Sequence, residues 1–154
     1  MKKRIILLLL CCWVGFSQAQ NANGANWIIG PAVGWQYQSG NFLKVGGWGL
    51  FAPNNYQYMK IHATANFTWM RSQTMVIPEL GFTYYLSDRL IFPFVKAEVT
   101  PYTLTPKIGI GILSLIDLDL GYGFDMQTKT GFKPLKGISG GVTLNIPLNF
   151  YLKR

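Results

Sequence analysis

A strict alternation near the end of the chain constrains the fold more than any other feature. The segment Ile116–Met126 reads IDLDLGYGFDM, so six large apolar residues alternate with three aspartates and two glycines. Successive side chains of a β-strand point to opposite sides of the sheet, which gives this strand one apolar face and one acidic face. A soluble sheet can expose an acidic face to water, but five of the six acidic residues of this chain lie on alternating segments and not in turns. This distribution favours a barrel with an apolar outside and a polar interior.

The first nineteen residues have the pattern of a secretory signal peptide. A basic start is followed by the apolar segment Ile5–Val14 and by small residues up to Ala19. This predicts a signal peptide over residues 1–19 and a single domain over residues 20–154. An uncleaved anchor helix is disfavoured because the apolar segment is too short to span a bilayer. Cys11 and Cys12 both lie in the leader, and neither follows the small residue that a lipid-attachment site requires.

Charge and composition narrow the classes of partner. The formal net charge is +8, and only 13% of the residues are charged. Because no basic cluster accompanies the surplus, a nucleic-acid partner is disfavoured, and anionic lipid headgroups are the expected partner. No apolar run after the leader is long enough for a membrane helix. The predicted domain has no cysteine, which excludes a disulfide, a thiol nucleophile and a cysteine metal site within it.

Alternating segments separated by turn residues predict eight strands and no helix after the leader. The predicted strands are Trp27–Gln38, Phe42–Phe51, Tyr56–Met70, Thr74–Leu86, Leu90–Thr100, Thr105–Leu113, Ile116–Met126 and Gly137–Leu152. Their lengths suit tilted strands that cross a bilayer, and an even number of antiparallel strands leaves both chain ends on one side. The predicted fold class is therefore all-β, an eight-stranded antiparallel up-and-down transmembrane β-barrel.

The predicted strands sort their connections into two sets. With both chain ends in the periplasm, the periplasmic turns are Pro53–Asn55, Ser87–Arg89 and Ser114–Leu115. The outer loops are then Ser39–Asn41, Arg71–Gln73, Pro101–Leu104 and Gln127–Lys136. The longest connection falls outside, as is usual for this architecture. Three lysines of this loop are candidates for contact with lipopolysaccharide phosphates, with a solvated loop as the alternative: Lys129, Lys133 and Lys136.

Two positions disturb the alternation. Gly46 and Gly47 suggest a bulge that would switch Trp48 between the faces of the second strand. Pro147 cannot donate a backbone hydrogen bond, so it suggests a bulge near the seam where the last strand meets the first.

The inward face of the predicted barrel carries most of the charge of the domain. The predicted interior residues are Lys44, Lys60, His62, Glu79, Lys96, Glu98, Lys107, Asp117, Asp119 and Asp125. Unpaired charges in a dry interior are very costly, whereas paired and hydrogen-bonded charges persist. We expect Lys60, Lys96 and Lys107 to pair with Glu79, Glu98, Asp117 and Asp119, without assigning individual pairs. A narrow polar channel or a small ligand cavity is the alternative, with inward glycines leaving room for it or for larger side chains.

Catalytic chemistry has little support in the sequence. His62 is the only histidine, and a serine nucleophile would need this base within hydrogen-bond reach. Ser72 and Ser139 are not placed beside His62 by the predicted strands. The sequence has no metal-ligand spacing and no glycine-rich phosphate loop. We therefore predict a protein that is not an enzyme and that holds no metal and no cofactor.

The chain resembles the small eight-stranded outer-membrane barrels of the OmpA/OmpX type. The resemblance covers Trp27 to Leu152 and rests on the signal peptide, the number of strands, the alternation of faces and the terminal strand. It implies a location in the outer membrane of a Gram-negative bacterium, with outer-membrane lipids, lipopolysaccharide, the barrel-assembly machinery and envelope proteins as partners. One departure is that Leu152, Lys153 and Arg154 follow the aromatic pair Phe150-Tyr151, whereas such chains usually end on an aromatic residue.

Two classes of function follow from this interpretation. The first is a non-enzymatic barrel with a structural or envelope-complex role, its interior filled by a polar salt-bridge network. The alternative is a narrow channel or a barrel that binds a small ligand or lipid, and a lipid-A-modifying enzyme is less favoured than either. A soluble barrel of the lipocalin kind is disfavoured because it would turn its apolar face inward.

Overall fold

The computed structural model is a closed antiparallel barrel in which each strand pairs with the next and the last pairs with the first. It describes residues 27–54, 57–69, 74–87, 90–113, 115–127 and 134–148. The strands are β1 (Trp27–Gln38), β2 (Asn41–Asn54), β3 (Gln57–Thr68), β4 (Met75–Tyr85), β5 (Ile91–Val99), β6 (Thr103–Ile112), β7 (Ile116–Asp125) and β8 (Gly137–Asn145). This confirms the predicted all-β, eight-stranded antiparallel barrel. No helix in this part of the chain is long and apolar enough to cross a membrane.

The barrel has two different ends. The first end carries the short β2–β3, β4–β5 and β6–β7 connections together with the start of β1 and the finish of β8. We call it the turn end. The opposite end carries the β1–β2, β3–β4, β5–β6 and β7–β8 connections, and we call it the loop end.

The second strand runs without the predicted bulge. Its register against β1 is continuous from the Trp27–Phe51 pair to the Tyr37–Asn41 pair, and Trp48 is buried in the interior. The indole N–H of Trp48 donates to the carbonyl of Pro31 at 3.1 Å. The register shifts instead near the end of the strand, in its pairing with β3 between Phe51 and Asn54. The bulge predicted at the two central glycines is therefore wrong, because the alternation of faces passes through them unbroken.

The last strand ends at Asn145, whereas the prediction extended it to Leu152. Residues 149–152 of the predicted strand lie outside the described residues. Beyond Asn145, the backbone N–H groups of Ile146 and Leu148 still donate to carbonyls of β1, each at 2.9 Å. Pro147 lies between these two donors, so its nitrogen faces the β7 side of the strand. Because β7 begins at Ile116, which pairs with Leu144, it offers no strand partner at the level of Pro147. The proline therefore follows the end of the strand and removes no ladder bond, rather than forming a bulge inside it.

The two faces of the wall have the polarity expected from the alternation. Large apolar side chains are exposed along the outer surface of every strand, among them Trp35, Val45, Ile61, Phe82, Val95, Ile108, Leu120 and Val142. The inward side chains include most of the buried lysines, acids, amides and threonines. Water-soluble proteins usually have the opposite arrangement, with apolar side chains inside and charged side chains outside. Lysine and glutamate are almost never fully buried unless they are paired.

The interior is built of three layers. Near the turn end, Ala32, Trp48, Leu50, Tyr85 and Phe94 form an apolar cluster in which the Tyr85 and Phe94 rings meet edge to face, 5.7 Å apart. Near the loop end, Phe42, Ile77 and Leu135 form a second apolar cluster. The charged residues lie between the two clusters, which separate them from both mouths of the barrel.

Candidate functional site

The site is a network of eight charged side chains in the middle of the barrel. Four lysines and four carboxylates make it up, which balances its formal charge: Lys44, Lys60, Lys96, Lys107, Glu79, Glu98, Asp117 and Asp119. None of the eight is more than 5% exposed. All were predicted from the sequence to face inward, and the structure brings them together.

The centre of the network is the carboxylate of Glu98. The ammonium nitrogens of Lys44, Lys96 and Lys107 lie 2.8, 3.2 and 2.6 Å from its oxygens. One carboxylate thus faces three cations that come from different strands of the wall. This concentration of positive charge is balanced by further carboxylates around the three lysines.

Those further carboxylates are Glu79 and Asp119. Glu79 lies 2.5 Å from Lys44, which therefore bridges two glutamates. Asp119 lies 2.6 Å from Lys96 and 3.0 Å from Lys107. Lys44, Lys96 and Lys107 each contact two carboxylates. The attraction to two opposite charges helps to offset the free-energy cost of removing each lysine from water.

A separate pair lies nearer the turn end. Lys60 pairs with Asp117, and the amide of Asn145 donates to the same aspartate at 2.9 Å. The ammonium of Lys60 also lies 5.7 Å from the centre of the Tyr85 ring. This pair connects the charged layer to the aromatic cluster at the turn end. The bond from Asn145 to Asp117 also links β8 to β7.

A shell of neutral polar groups completes the network. The side-chain oxygen of Gln36, Oε1, accepts hydrogen bonds from Lys44 at 2.9 Å and from Lys107 at 2.8 Å. Glu79 accepts from Asn66 at 2.7 Å and from Thr64 at 3.2 Å. The predicted interior network did not include these neutral residues, although they lie on the inward face at the same alternating positions as the charges.

The shell also ties the network to the loop end. The amide of Gln36 donates to Gln38, whose own amide donates to the backbone carbonyl of Leu135 at 2.7 Å. Leu135 is buried against Phe42 and Ile77, so this residue just before β8 covers the interior at the loop end. The sequence pattern gave no indication of this closure, because it depends on a loop residue that folds back over the interior.

Glycines make room for large side chains, not for an open lumen. A Cβ atom added at Gly81 would collide with the His62 ring, and one added at Gly109 would collide with the Phe94 ring. A Cβ atom at Gly121 would meet the side chain of Lys107 in the same way. Among the described residues, an interior cavity beside Lys60 and another beside Gln38 have a volume of about 10 Å³ each, close to the volume that one water molecule needs.

Asp125 corrects the predicted set of interior residues. It has the inward position of Asp117 and Asp119 in the alternation, but it is exposed. The reason is that β7 ends at Asp125, so this side chain lies at the rim of the loop end. The other nine predicted residues, including His62, are buried.

The three loop lysines are only partly described. Lys136 is exposed, and its backbone carbonyl accepts a hydrogen bond from Ser39 at 2.7 Å. Lys129 and Lys133 lie outside the described residues. The predicted contact of the three with lipopolysaccharide stays a prediction.

His62 lies beside two carboxylates, but their charge is already balanced by lysine. Its Nε2 atom is 3.7 Å from Glu79 and 3.5 Å from Glu98, and the three residues have the spacing of a metal-binding group. The same two glutamate oxygens, however, lie 2.5 and 2.8 Å from the ammonium of Lys44. The donor set therefore suits a lysine side chain, and a divalent cation would have to displace it against the repulsion of Lys96.

A serine–histidine pair is not assembled among the described residues. Ser139 is fully buried, and its hydroxyl has no hydrogen-bond partner in this part of the chain, so His62 does not activate it. Ser72, the other candidate, lies outside the described residues.

Comparisons with known proteins add no assignment to this geometry. No protein-family model matches the chain, and no curated protein or solved structure matches it at a significant level. The resemblance to OmpA/OmpX-type barrels accordingly remains an expectation from the sequence.

Proposed function

We propose that this protein is an integral outer-membrane barrel of a Gram-negative bacterium, with a structural or envelope-complex role, no catalytic activity and no open pore. The observation that carries the proposal is the inverted polarity of the wall. Apolar side chains cover its outer surface, and paired charges fill its interior. Lipids and lipopolysaccharide are then its immediate partners, and the barrel-assembly machinery would insert it.

The outer surface supports the membrane location through its energetics. Burial of apolar surface is worth roughly 25 cal/mol per Å², and soluble monomers rarely expose apolar patches beyond a few hundred Å². Here exposed leucine, isoleucine, valine and aromatic side chains continue around the whole barrel. The strands are 9 to 14 residues long, which matches the roughly 9–11 residues that a tilted strand needs to cross a bilayer.

The interior supports a closed barrel over a channel. An ion on the axis would have to pass both apolar clusters and displace lysines that are already paired with carboxylates. The two cavities of about 10 Å³ share no lining residue. An eight-stranded barrel is only wide enough for its own side chains, so the network acts as a plug.

The membrane location is tested by extraction. Membranes from a Gram-negative host that expresses the full chain are washed with high salt and then with sodium carbonate. We expect the protein to stay in the membrane pellet and to dissolve only in detergent, while a soluble periplasmic protein in the same preparation is released. Release of the barrel by carbonate alone would overturn the proposal.

The closed interior is tested by conductance. Purified protein is inserted into planar bilayers, and flotation of proteoliposomes from the same preparation verifies its insertion. We expect no steady current, because Glu98 and its three lysine partners block the axis. A steady, ion-selective conductance of the inserted wild-type protein would instead support the narrow-channel alternative.

A further inference from the structure

Two neighbouring turns at the turn end carry leucines on their surface. Leu86 and Leu90 flank the β4–β5 turn and are 60% and 67% exposed. Leu113 and Leu115 belong to the β6–β7 turn and are 56% and 37% exposed. The two turns touch, since the N–H of Leu113 donates to the carbonyl of Leu90 at 3.3 Å. We call these four residues the leucine rim.

Leu113 has a backbone conformation that is unusual for leucine. Its φ of 53° lies in the left-handed region, where glycine and asparagine are favoured. The other such residue among those described, Ser39 with a φ of 56°, is polar and lies at the loop end. A large apolar side chain thus occupies a position that both the backbone conformation and contact with water disfavour. The cost of exposure disappears if the surroundings of Leu113 are apolar.

The leucine rim lies on the shorter side of the barrel. Strands β5 to β8 have 9 or 10 residues, whereas β1, β2 and β3 have 12, 14 and 12. About 9–11 residues are needed to cross the hydrocarbon layer, so the short strands bring their turns to its edge. On the longer side, β2 continues to Asn54 and β3 begins at Gln57. Pro53, near the end of β2, is exposed, and no leucine lies between Phe51 and Asn54.

The rim is continuous with the apolar outer wall. A surface groove of about 590 Å³ begins at Leu86 and runs along β5, β6 and β7, where Val95, Ile108 and Leu120 line it. Among the described residues that line this groove, only Asp119 is charged, and its side chain faces the interior. Whatever surrounds the outer wall therefore also reaches the rim.

We propose that the leucine rim inserts into the acyl-chain boundary of the leaflet at the turn end, while Pro53, near the end of β2, stays in water. This inference rests on the proposed membrane location. It adds that one side of the turn end lies deeper in the leaflet than the other side. Amphipathic helices at a membrane surface insert their apolar face about 5–10 Å into this boundary, and we expect a similar depth for the exposed leucines of the rim. The sequence places Asp88 and Arg89 between Leu86 and Leu90, and such charges beside leucines suit the boundary with the headgroups, not the bilayer centre.

The test uses single cysteines, because both cysteines of the chain lie at positions 11 and 12. The chain from Gln20 onward is prepared with Leu113→Cys, Leu90→Cys, Pro53→Cys or Leu120→Cys, and each variant is labelled with a polarity-sensitive fluorophore. The labelled barrels are reconstituted into phosphatidylcholine–phosphatidylglycerol vesicles with or without lipids that carry a spin label on the acyl chain. Heat-modifiable migration on gels verifies that each variant is folded.

We expect the spin-labelled lipids to quench the probes at positions 113 and 90 at least about twofold more than the probe at position 53, as insertion by 5–10 Å implies. Aqueous iodide should show the reverse order. Position 120 lies on the outer wall, so its probe tests the membrane location separately from the insertion of the leucine rim. Strong quenching at position 120 with none at 113 and 90 would overturn the insertion of the rim and leave the membrane location intact. Absence of lipid quenching at all positions overturns the membrane location itself. Probes at 113 and 90 that are accessible in vesicles but protected in native membranes would identify a protein partner and contradict insertion into lipid.

Discussion

Replacing Glu98 by glutamine is expected to lower the free energy of unfolding by about 3–5 kcal/mol, the usual cost of breaking a buried ion pair on one side. Glu98 is 1% exposed and is shared by Lys44, Lys96 and Lys107. The amide keeps the shape of the side chain, so the loss reports charge and not a cavity. Urea unfolding of the barrel in lipid vesicles, followed by tryptophan fluorescence, measures it.

Two variants control this result. Asp125→Asn removes the exposed carboxylate of β7 and should change the free energy by no more than about 0.5 kcal/mol. Glu98→Gln combined with Lys107→Met removes one charge of each sign and should recover part of the loss, since paired residues do not behave additively. If Glu98→Gln costs no more than Asp125→Asn, the network does not hold the barrel together.

The faces of the barrel were predictable because a strand has a side-chain period of two. Once one strand is in register, every second residue is committed to the interior, and a slip by one residue would reverse the whole set. Asp117 and Asp119 could be placed inside on this ground alone. The period does not say where the wall ends, and for this reason Asp125 was placed in the interior although it lies at the exposed rim.

Individual ion pairs were beyond the reach of the sequence. Lys44 of β2 meets Glu98 of β5 across the lumen, a contact set by barrel closure and strand tilt rather than by spacing along the chain. The expected pairing of Lys60, Lys96 and Lys107 with acids holds for Asp117, Glu98 and Asp119. Glu79, however, is bound by Lys44, which the prediction left without a partner.

The neutral shell and the closure of the loop end were missed for a related reason. A glutamine on the inward face looks the same in sequence whether it faces water or bridges two lysines, as Gln36 does. Leu135 belongs to no strand, so no periodic pattern marks it as the residue that covers the loop end. What the pattern cannot encode is contact between elements whose distance depends on the closed barrel.

Replacing Leu120 by arginine is expected to cost about 2–4 kcal/mol of unfolding free energy if this position lies near the bilayer midplane, because a charge is then transferred into hydrocarbon. Leu120 is 64% exposed in the middle of β7, and its neighbours across the ladder are Ile108 and Gly140. On the surface of a soluble protein the same substitution would be close to neutral. The sign and size of the effect therefore report the solvent that surrounds the wall.

A second substitution on the same face gives the matched comparison. Met126→Arg lies just beyond the end of β7, where an interfacial position predicts a cost of about 0–1 kcal/mol. Both variants are unfolded in urea from the same lipid vesicles, and their difference removes the shared effect of adding an arginine. A cost that falls steeply from Leu120 to Met126 follows the depth of a bilayer. Equal and small costs at the two positions would mean that water, and not lipid, surrounds the barrel.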